Sequence, residues 1–342
     1  MKKHIKVLSL ILALCMAVCV FAACSGTKTP ETPSGEDQAA FKVGICQLVQ
    51  HDALDAATKG FQEKLTELMT AAGKTVTFDY QNASGESANC ATIINQFVAD
   101  KADLILANAT PALQAAATAT VSSKIPVVAV AITDFGDALD IEMEATGVTG
   151  INVTGASDYV SSELQAAQLM DLFPDTKTVG CIYCSAEANS LFQVEGMRDA
   201  LAALPEDVEC NFYSFADTND VQAVTKKAAE ESDVIFIPTD NTAASNGAII
   251  ADVCAAAETP IIAGEVGIFS NTNAVATLSL SYYQNGAAAA QQAFDILVNG
   301  KNPAEINISQ AQSEDLVYYY NADMAAKYNV TIPENYEAYT AE

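Results

Sequence analysis

Polar side chains stand directly after several short apolar runs of this chain, where they could bind a small charged molecule. Asn108 and Thr110 close the run DLILANAT and precede the helical stretch ALQAAATA; Thr110 is typical of a helix N-cap and Pro111 of the first helical position. The group Thr239-Asp240-Asn241-Thr242 follows VIFIP in the same way and opens AASNGAIIADV. Any one of these residues could simply cap a helix, but their matching positions in the two halves of the chain favour binding.

A third polar group, residues 185–190 with the sequence SAEANS, follows the run TVGCIYC and opens another helix. Unpaired backbone N–H groups at a helix start, together with Ser and Asn side chains, suit a carboxylate. An ammonium group needs an anionic partner instead, for which Asp240 is the first choice and Glu265 or Asp134 the alternatives.

Two further positions could contact a ligand. His51 is the only histidine after the first 24 residues and follows the first apolar run, where it contacts a ligand or makes a loop hydrogen bond. Tyr282 lines a cleft or packs a hinge. The full set of candidate ligand-binding residues is His51, Asn108, Thr110, Asp134, Ser185, Glu187, Asn189, Ser190, Asp240, Asn241, Thr242, Glu265, Ser281 and Tyr282.

The motifs of common enzymes are absent from the sequence. No G-x-S-x-G elbow accompanies His51, and no G-x-G-x-x-G occurs. The stretch AGKT at residues 72–75 resembles the end of a P-loop, but Leu68 replaces its first glycine, so a helix end is the better interpretation. Zinc and calcium-loop spacings are also absent, and the acids from Asp134 to Glu144 indicate a solvated loop. We therefore expect a binding protein without catalytic residues, cofactor or metal.

The elements that position these residues alternate along the chain. Runs such as FKVGICQLV, IPVVAVAI and DVIFIPTD are nearly continuous in apolar residues, which is typical of parallel strands buried on both faces. Between them lie stretches such as LDAATKGFQEKLTELMTAAG, with apolar residues at helical spacing and a stop at Gly73. This alternation predicts an α/β fold with doubly wound parallel sheets, in which ligands bind beyond the carboxyl ends of the strands.

The α/β pattern occurs twice. Val43-Gly44 recurs as Val179-Gly180 and Gly60-Phe61 as Gly196-Met197, both 136 residues apart (179 − 43 and 196 − 60). About 300 residues also exceed what one hydrophobic core usually serves. We therefore expect a hinged clamshell with crossings near residues 147–157 and 276–286. Lobe one is predicted to comprise residues 41–156 and 282–306, and lobe two residues 157–281 and 307–342.

The first 24 residues are typical of a secretory signal peptide. Three lysines precede an apolar run that ends at Ala23 and is short for a transmembrane helix of ~20 residues, the alternative interpretation. Residues 21–24, FAAC, resemble a bacterial lipobox, in which Cys24 is lipidated. Residues 25–40 are rich in Ser, Thr, Gly, Pro and acids, which indicates a flexible tether.

The charge and the cysteine content argue against a nucleic-acid-binding protein and against a redox or metal site. The formal net charge is −27, and because the leader holds three lysines and no acids the remainder carries −27 − 3 = −30. Such an acidic body repels nucleic acid. Six of the nine cysteines (9 − 3 = 6) lie beyond the leader in mostly apolar surroundings. Cys181 and Cys184 form a C-x-x-C within a predicted strand, where they face opposite sides, so we expect buried thiols instead of a redox or metal site.

Several runs resemble those of a known family, the ABC-importer binding lipoproteins of the tryptophan/tyrosine uptake type. The runs are QLVQHDALDAATKGF, DYQNASGESANCATIINQFVADKADLILANATPALQAA, SAEANS and VIFIPTDNTAAS, and the similarity extends from about Phe41 to Gln310. The resemblance implies a type I periplasmic-binding fold, an ABC permease and ATPase as partners, and an amino-acid ligand that is often aromatic. It also implies an extracytoplasmic protein held at the membrane by its lipid.

The sequence departs from that family at four positions. Asp52 stands where Pro usually follows the histidine, and Phe135 where Pro usually follows the Ile-Thr-Asp triplet. Glu265 replaces a common Asp, and Ser281 replaces the Asp before the tyrosine pair. The last two positions are expected near the pocket, so the particular amino acid stays open.

Two other binding functions remain as alternatives. One is a sugar or nucleoside ligand, although the chain has no Trp for the aromatic platforms of many sugar sites. The other is an extracellular ligand sensor that works without a transporter.

Overall fold

The computed structural model describes residues 40–143 and 147–340 of the 342-residue chain. The predicted signal peptide, Cys24 and nearly all of the predicted tether lie outside the described residues, as does Glu144 of the acidic run. Within the described part the chain forms two α/β lobes, which confirms the predicted fold class.

Lobe one contains a sheet of five parallel strands in the order β2-β1-β3-β4-β5. Every residue of β3 and β4 is buried, which explains why both strands are continuous apolar runs. The strands are β1 (Phe41–Gln47), β2 (Val76–Asn82), β3 (Leu104–Asn108), β4 (Val127–Ile132) and β5 (Val153–Ser157).

The helices of lobe one cover both faces of this sheet. They are α1 (Asp52–Ala71), α2 (Ser87–Ala99), α3 (Thr110–Ala119), the short α4 (Phe135–Leu139) and, from later in the chain, α11 (Tyr282–Leu297). Helix α11 packs along α1 so closely that backbones nearly touch at two glycines, Gly60 and Gly286. A Cβ on Gly286 would lie 1.9 Å from the carbonyl oxygen of Ala57, so only glycine allows this approach.

Lobe two contains a sheet of seven strands in the order β12-β11-β10-β9-β8-β6-β7. Its strands pair in parallel except for β10 with β11, which are antiparallel. The strands are β6 (Thr178–Cys184), β7 (Glu209–Phe215), β8 (Val234–Ile237), β9 (Ile261–Ala263), β10 (Ala276–Ser279), β11 (Val317–Tyr320) and β12 (Tyr336–Ala338).

The helices of lobe two bury a hydrophobic core on each face of the sheet. They are α5 (Ser162–Leu172), α6 (Ala188–Ala202), α7 (Val221–Glu231), α8 (Asn241–Ser245), α9 (Gly247–Ala257), α10 (Val266–Thr272) and α12 (Ala322–Lys327). Two 3-10 turns, Pro303–Glu305 and Ser313–Asp315, lie between α11 and β11. Cys181 belongs to one core and Cys184 to the other, so the two cysteines face opposite sides of β6 as expected.

The chain crosses between the lobes after β5, returns between β10 and α11, and crosses again beyond α11. The first crossing lies later than the sequence indicated, because residues Val153–Ser157 form β5 and the connection begins at Asp158. Beyond α11 the chain runs beside β5, where the backbone N–H of Ser157 donates to the carbonyl of Ser309 over 2.8 Å. Neighbouring crossings are therefore hydrogen-bonded to one another.

Replacing Gly286 by alanine is expected to destabilise the protein by about 3 kcal/mol, because the added Cβ forces α11 away from α1. Urea unfolding measures the change in the free energy of unfolding. Gln284→Ala, at an exposed position of the same helix, is the control and should stay within about 0.5 kcal/mol of the wild type. Equal stability of the two variants would contradict the close packing of these helices.

Candidate ligand-binding site

A small cavity lies where the two lobes meet. Its lining comes from both lobes and from the first two of the three chain crossings. The lining residues are His51, Leu54, Ala131, Asp158, Asn189, Thr239, Asp240, Asn241, Glu265 and Tyr282.

The polar lining residues follow the carboxyl ends of strands, as ligand-binding residues of doubly wound sheets do. His51 comes after β1 and Asp158 directly after β5, whereas Asp240 and Glu265 come after β8 and β9 of lobe two. Tyr282 is the first residue of α11. The carboxyl ends of strands from both sheets therefore meet at this cavity.

Three buried carboxyl groups dominate the electrostatics of this cavity, and no Lys or Arg lines it. Burial is the main cause that raises their pKa values, because it disfavours the charged form. It raises the pKa of Asp158 to about 6 and that of Glu265 to about 7. The pKa of Asp240 is also raised to about 7, by burial and then by the negative charge of Glu187.

Two of the three acids cap helices. Asp240 accepts hydrogen bonds from the backbone N–H of Ala243 over 2.7 Å and from that of Cys184 over 2.6 Å. Glu265 accepts from the backbone N–H groups of Gly267 and Ile268 at the start of α10. Both carboxyl groups thus serve the unpaired donors of a helix N-terminus while they face the cavity.

Asp158 is held differently, by two hydroxyl groups. The phenol of Tyr282 donates to one carboxylate oxygen over 2.8 Å, and the hydroxyl of Thr133 donates to the other over 3.3 Å. Hydroxyl hydrogens rotate, so these partners can also accept a hydrogen bond when another donor reaches the carboxylate. Asp158 is therefore the acid whose surroundings adapt most easily to a ligand.

Glu187 holds together the wall of the cleft that lobe two supplies. Its carboxylate accepts from the backbone N–H and the side-chain amide of Asn241, over 3.0 and 2.6 Å. It also accepts from the backbone N–H and the hydroxyl of Thr242, over 2.8 and 2.7 Å. The amide oxygen of Asn241 then lies 3.1 Å from Nε2 of His51 in the other lobe.

A second polar group supports Thr239. The side-chain amide of Asn189 donates to its carbonyl oxygen over 2.8 Å, and Gln193 accepts from its backbone N–H over 2.6 Å. The hydroxyl of Ser190 points at the same carbonyl over 3.5 Å. These residues orient the turn that presents Asp240.

Several residues predicted for the site lie elsewhere. The amide of Asn108 donates to Thr58 and to the carbonyl of Leu54, both over 2.9 Å, within lobe one. Asp134 and Ser281 cap α4 and α11, and Ser185 is exposed and bonds the carbonyl of Phe215.

The prediction that Thr110 is an N-cap is wrong. Helix α3 begins at Thr110, and the N-cap is Ala109 with a φ of 85° and no side-chain hydrogen bond. The left-handed backbone of Ala109 turns the chain into the helix without a capping oxygen.

Sequence reasoning missed Asp158, Leu54 and Ala131 as lining residues. Asp158 could have been found by the rule applied to the other sites, because it directly follows the run that forms β5. Ala131 could not, since it lines the cavity through a bulge in β4 where its own φ is 54°. Its backbone N–H donates to the side chain of Asn285 over 3.1 Å, a contact made only in the folded chain.

The relationship of the chain to known proteins follows from its sequence as well as its fold. A model of the ABC transporter substrate binding protein family matches residues 42–342. The chain belongs to this family. As an ABC substrate-binding protein it is not an enzyme; it works outside the cytoplasm and has an ABC permease as its partner.

Individual relatives are similar over almost the whole substrate-binding protein. A tyrosine-binding protein of Clostridioides difficile strain R20291 is 32% identical over 322 residues, which are 93% of this chain and 91% of the relative. The ABC domain in complex with L-Trp from Streptococcus pneumonia is 28% identical with a TM-score of 0.80, and covers 88% of this chain and 99% of its own. A ligand-free, open substrate binding protein with adhesive properties from Clostridium difficile is also 28% identical, with a TM-score of 0.64 over 89% of this chain and 100% of its own.

The two lobes of this substrate-binding protein are closed on each other. At equal sequence identity the chain superposes better on the L-Trp complex than on the ligand-free, open structure. Side chains also bond across the cleft. These bonds join His51 to Asn241 (3.1 Å), Gln193 to Thr133 (3.5 Å) and Ser270 to Asp52 (3.4 Å).

The buried acids predict how stability depends on pH. The folded-state pKa of Asp158, about 6, lies above its ordinary value of 3.8, so between these pH values the folded protein binds a proton that the unfolded chain has released. Asp240 and Glu265 behave likewise, and stability without added ligand should therefore fall as pH rises from about 4 to about 7.

The variant Asp158→Asn tests how much one of these acids contributes to the pH dependence of stability. It is expected to lie within about 1 kcal/mol of the wild type at pH 4, near the ordinary pKa of the unfolded Asp, and to be more stable by about 3 kcal/mol at pH 8, where the folded-state pKa of about 6 has been passed. Urea unfolding at both pH values measures this difference. Parallel pH profiles for variant and wild type would contradict the assignment.

Proposed function

We propose that this substrate-binding protein binds an amino acid between its lobes, with an aromatic amino acid as the first candidate. The observation that carries the proposal is the cavity between the lobes, which is lined by three acids and by no Lys or Arg among the described residues, since such a cavity favours a cation. The named ligands of the relatives, tyrosine and L-Trp, carry an ammonium group of this kind.

The ammonium group is proposed to lie among Asp158, Asp240 and Glu265. Asp240 was the first choice from the sequence, and it remains a candidate. The contacts favour Asp158, because its present partners are hydroxyls, whereas both oxygens of Asp240 and of Glu265 already accept backbone N–H groups. A charge-assisted hydrogen bond to an ammonium group contributes roughly 1.5–3 kcal/mol.

The ligand carboxylate is proposed to lie toward the start of α6, near Ser190. This helix begins at Ala188, directly beside the cavity, and its dipole favours a negative charge at that end. An ammonium group and a carboxylate at opposite walls orient an amino acid across the cleft, so that closure of the lobes completes both sets of contacts.

Calorimetry tests the proposal directly. The chain of residues 25–342, which keeps the compact unit of residues 39–342, is unfolded and refolded to remove carried-over ligand and then titrated with each of the twenty amino acids. Heat with an aromatic amino acid is expected at roughly micromolar affinity, near about −8 kcal/mol. Heat only with ribose or a nucleoside would contradict the amino-acid assignment.

Asp158→Asn is expected to weaken amino-acid binding at pH 8 by at least about tenfold, because the ammonium group loses an ionised partner. Asp134→Asn removes the same charge from a residue that caps α4 outside the cavity, and it should leave the affinity nearly unchanged. Equal affinity of the two variants would exclude Asp158 as the ammonium partner. The same titrations of both variants supply the measurement.

We further propose the lobe boundaries expected from the sequence, residues 41–156 with 282–306 and residues 157–281 with 307–342. The packing of α11 on α1 supports the assignment of the first part of the returning chain to lobe one. The pairing of β11 with β10 supports the assignment of the last part to lobe two.

Attachment to the membrane is proposed to occur through a lipid on Cys24. No helix among residues 40–143 and 147–340 is both long and apolar enough to cross a bilayer. The proposal is supported by the FAAC sequence at residues 21–24 and by the basic, apolar leader in front of it. Residues 25–40 would then tether the binding domain to the membrane surface.

Cys24→Ala is expected to release the protein from the membrane fraction of cells that export it, because the lipid has no attachment site. Fractionation followed by immunoblotting measures the distribution. Cys254→Ala, at a buried thiol far along the chain, is the control and should stay with the membrane. Continued membrane retention of the Cys24 variant would count against lipidation.

A further inference from the structure

His51 presents an unused hydrogen-bond acceptor to the cavity. Its side chain is only 9% exposed and lines the cavity wall. The ring atom Nε2 contacts Asn241, but Nδ1 has no hydrogen-bond partner among the described residues. A buried ring nitrogen without a partner is costly, so its role in the closed protein needs an explanation.

The hydrogen bonds of Glu187 determine which atom of Asn241 faces His51. Two backbone N–H groups, which can only donate, point at the Glu187 carboxylate, so its oxygens act as acceptors. The Asn241 side chain must then donate to Glu187 through its NH₂ group, over 2.6 Å. Its carbonyl oxygen Oδ1 is therefore the atom that lies 3.1 Å from His51.

This orientation fixes the tautomer of His51. Because Oδ1 of Asn241 can only accept, Nε2 of His51 must carry a hydrogen. Burial lowers the pKa of His51, which keeps the ring neutral. With its one hydrogen on Nε2, the ring leaves a lone pair on Nδ1, and that lone pair accepts a hydrogen bond.

Asn189, on the wall of lobe two, also has a buried acceptor atom without a partner among the described residues. Its NH₂ group donates to the carbonyl oxygen of Thr239 over 2.8 Å, which leaves Oδ1 as a buried acceptor without a partner among the described residues. Asn189 is 5% exposed and also lines the cavity. Two neutral acceptors, one from each lobe, thus accompany the three acids.

We propose that His51 recognises the ligand by accepting a hydrogen bond at Nδ1 from the ligand's ammonium group, in a tautomer that Glu187 and Asn241 impose from the opposite lobe. The inference rests on the proposed amino-acid ligand and deepens it. Because the imposing residues belong to lobe two, the acceptor is set only when the lobes close, so recognition and closure are one event. Glu187 and Asn241 are positioning residues.

Two substitutions distinguish the role of Nε2 from the role of Nδ1 in His51. Glutamine extends its amide to the place of Nε2 and preserves the contact with Asn241, but it offers no acceptor where Nδ1 stood. Asparagine places its amide oxygen near the place of Nδ1 and loses the contact with Asn241. We expect His51→Gln to bind L-tyrosine at least tenfold more weakly than the wild type, and His51→Asn to retain more affinity than His51→Gln. Calorimetry with L-tyrosine and L-tryptophan as probes measures both, and circular dichroism checks that both variants are folded.

The protonation state of the ring is measured independently by NMR. The chain has two histidines, and residues 25–342 contain only His51, so a ¹⁵N-histidine-labelled sample shows a single imidazole. With saturating L-tyrosine we expect the two-bond ¹H–¹⁵N pattern of a neutral ring with hydrogen on Nε2 and a lone pair on Nδ1. A hydrogen on Nδ1, or a doubly protonated ring, would overturn the inference.

The outcomes distinguish this inference from the proposed function. Wild-type heat with L-tyrosine or L-tryptophan but undiminished binding by His51→Gln would overturn the role of His51 and leave the amino-acid function standing. No wild-type heat with either probe would overturn the aromatic assignment and, with it, this inference.

Discussion

Burial of three carboxyl groups in one small cavity is the constraint on which the rest of the site depends. A buried ionised carboxylate costs several kcal/mol unless hydrogen bonds or a counter-charge compensate for the lost water. No Lys or Arg lines the cavity. The protein compensates with backbone N–H groups at two helix starts, with the hydroxyls of Tyr282 and Thr133, and with raised pKa values. A cationic ligand group would supply the missing charge, which is why closure and amino-acid binding belong together in our proposal.

Asp158, the acid with the most adaptable partners, also connects the first two crossings between the lobes. Asp158 begins the first crossing and Tyr282 ends the second, so their hydrogen bond joins the two connections directly. Helix α11, which follows Tyr282, is held against α1 by the close approach at Gly60 and Gly286. A ligand that contacts Asp158 would therefore lie against the connections between the lobes.

Helix capping and ligand binding draw on the same residue types, and this explains why some of the candidate residues line the cavity and others do not. Four of the candidate residues that follow strands line the cavity, namely Asp240, Glu265, Asn189 and Asn241. Asn108, Asp134 and Ser281 had the same signature but satisfy local donors or carbonyls instead. A polar residue after a strand identifies the edge of the sheet and not the direction of its side chain, which depends on the neighbouring helix.

The sequence by itself determined the fold class, the duplicated α/β lobes and the end of the sheets where polar residues gather, because periodicity and strand composition are local properties of the chain. It did not find Asp158 or Ala131. Only the tertiary structure decided which acids share a cavity and which nitrogen of His51 faces it. These depend on contacts between residues as far apart as His51 and Asn241, which meet only when two lobes close.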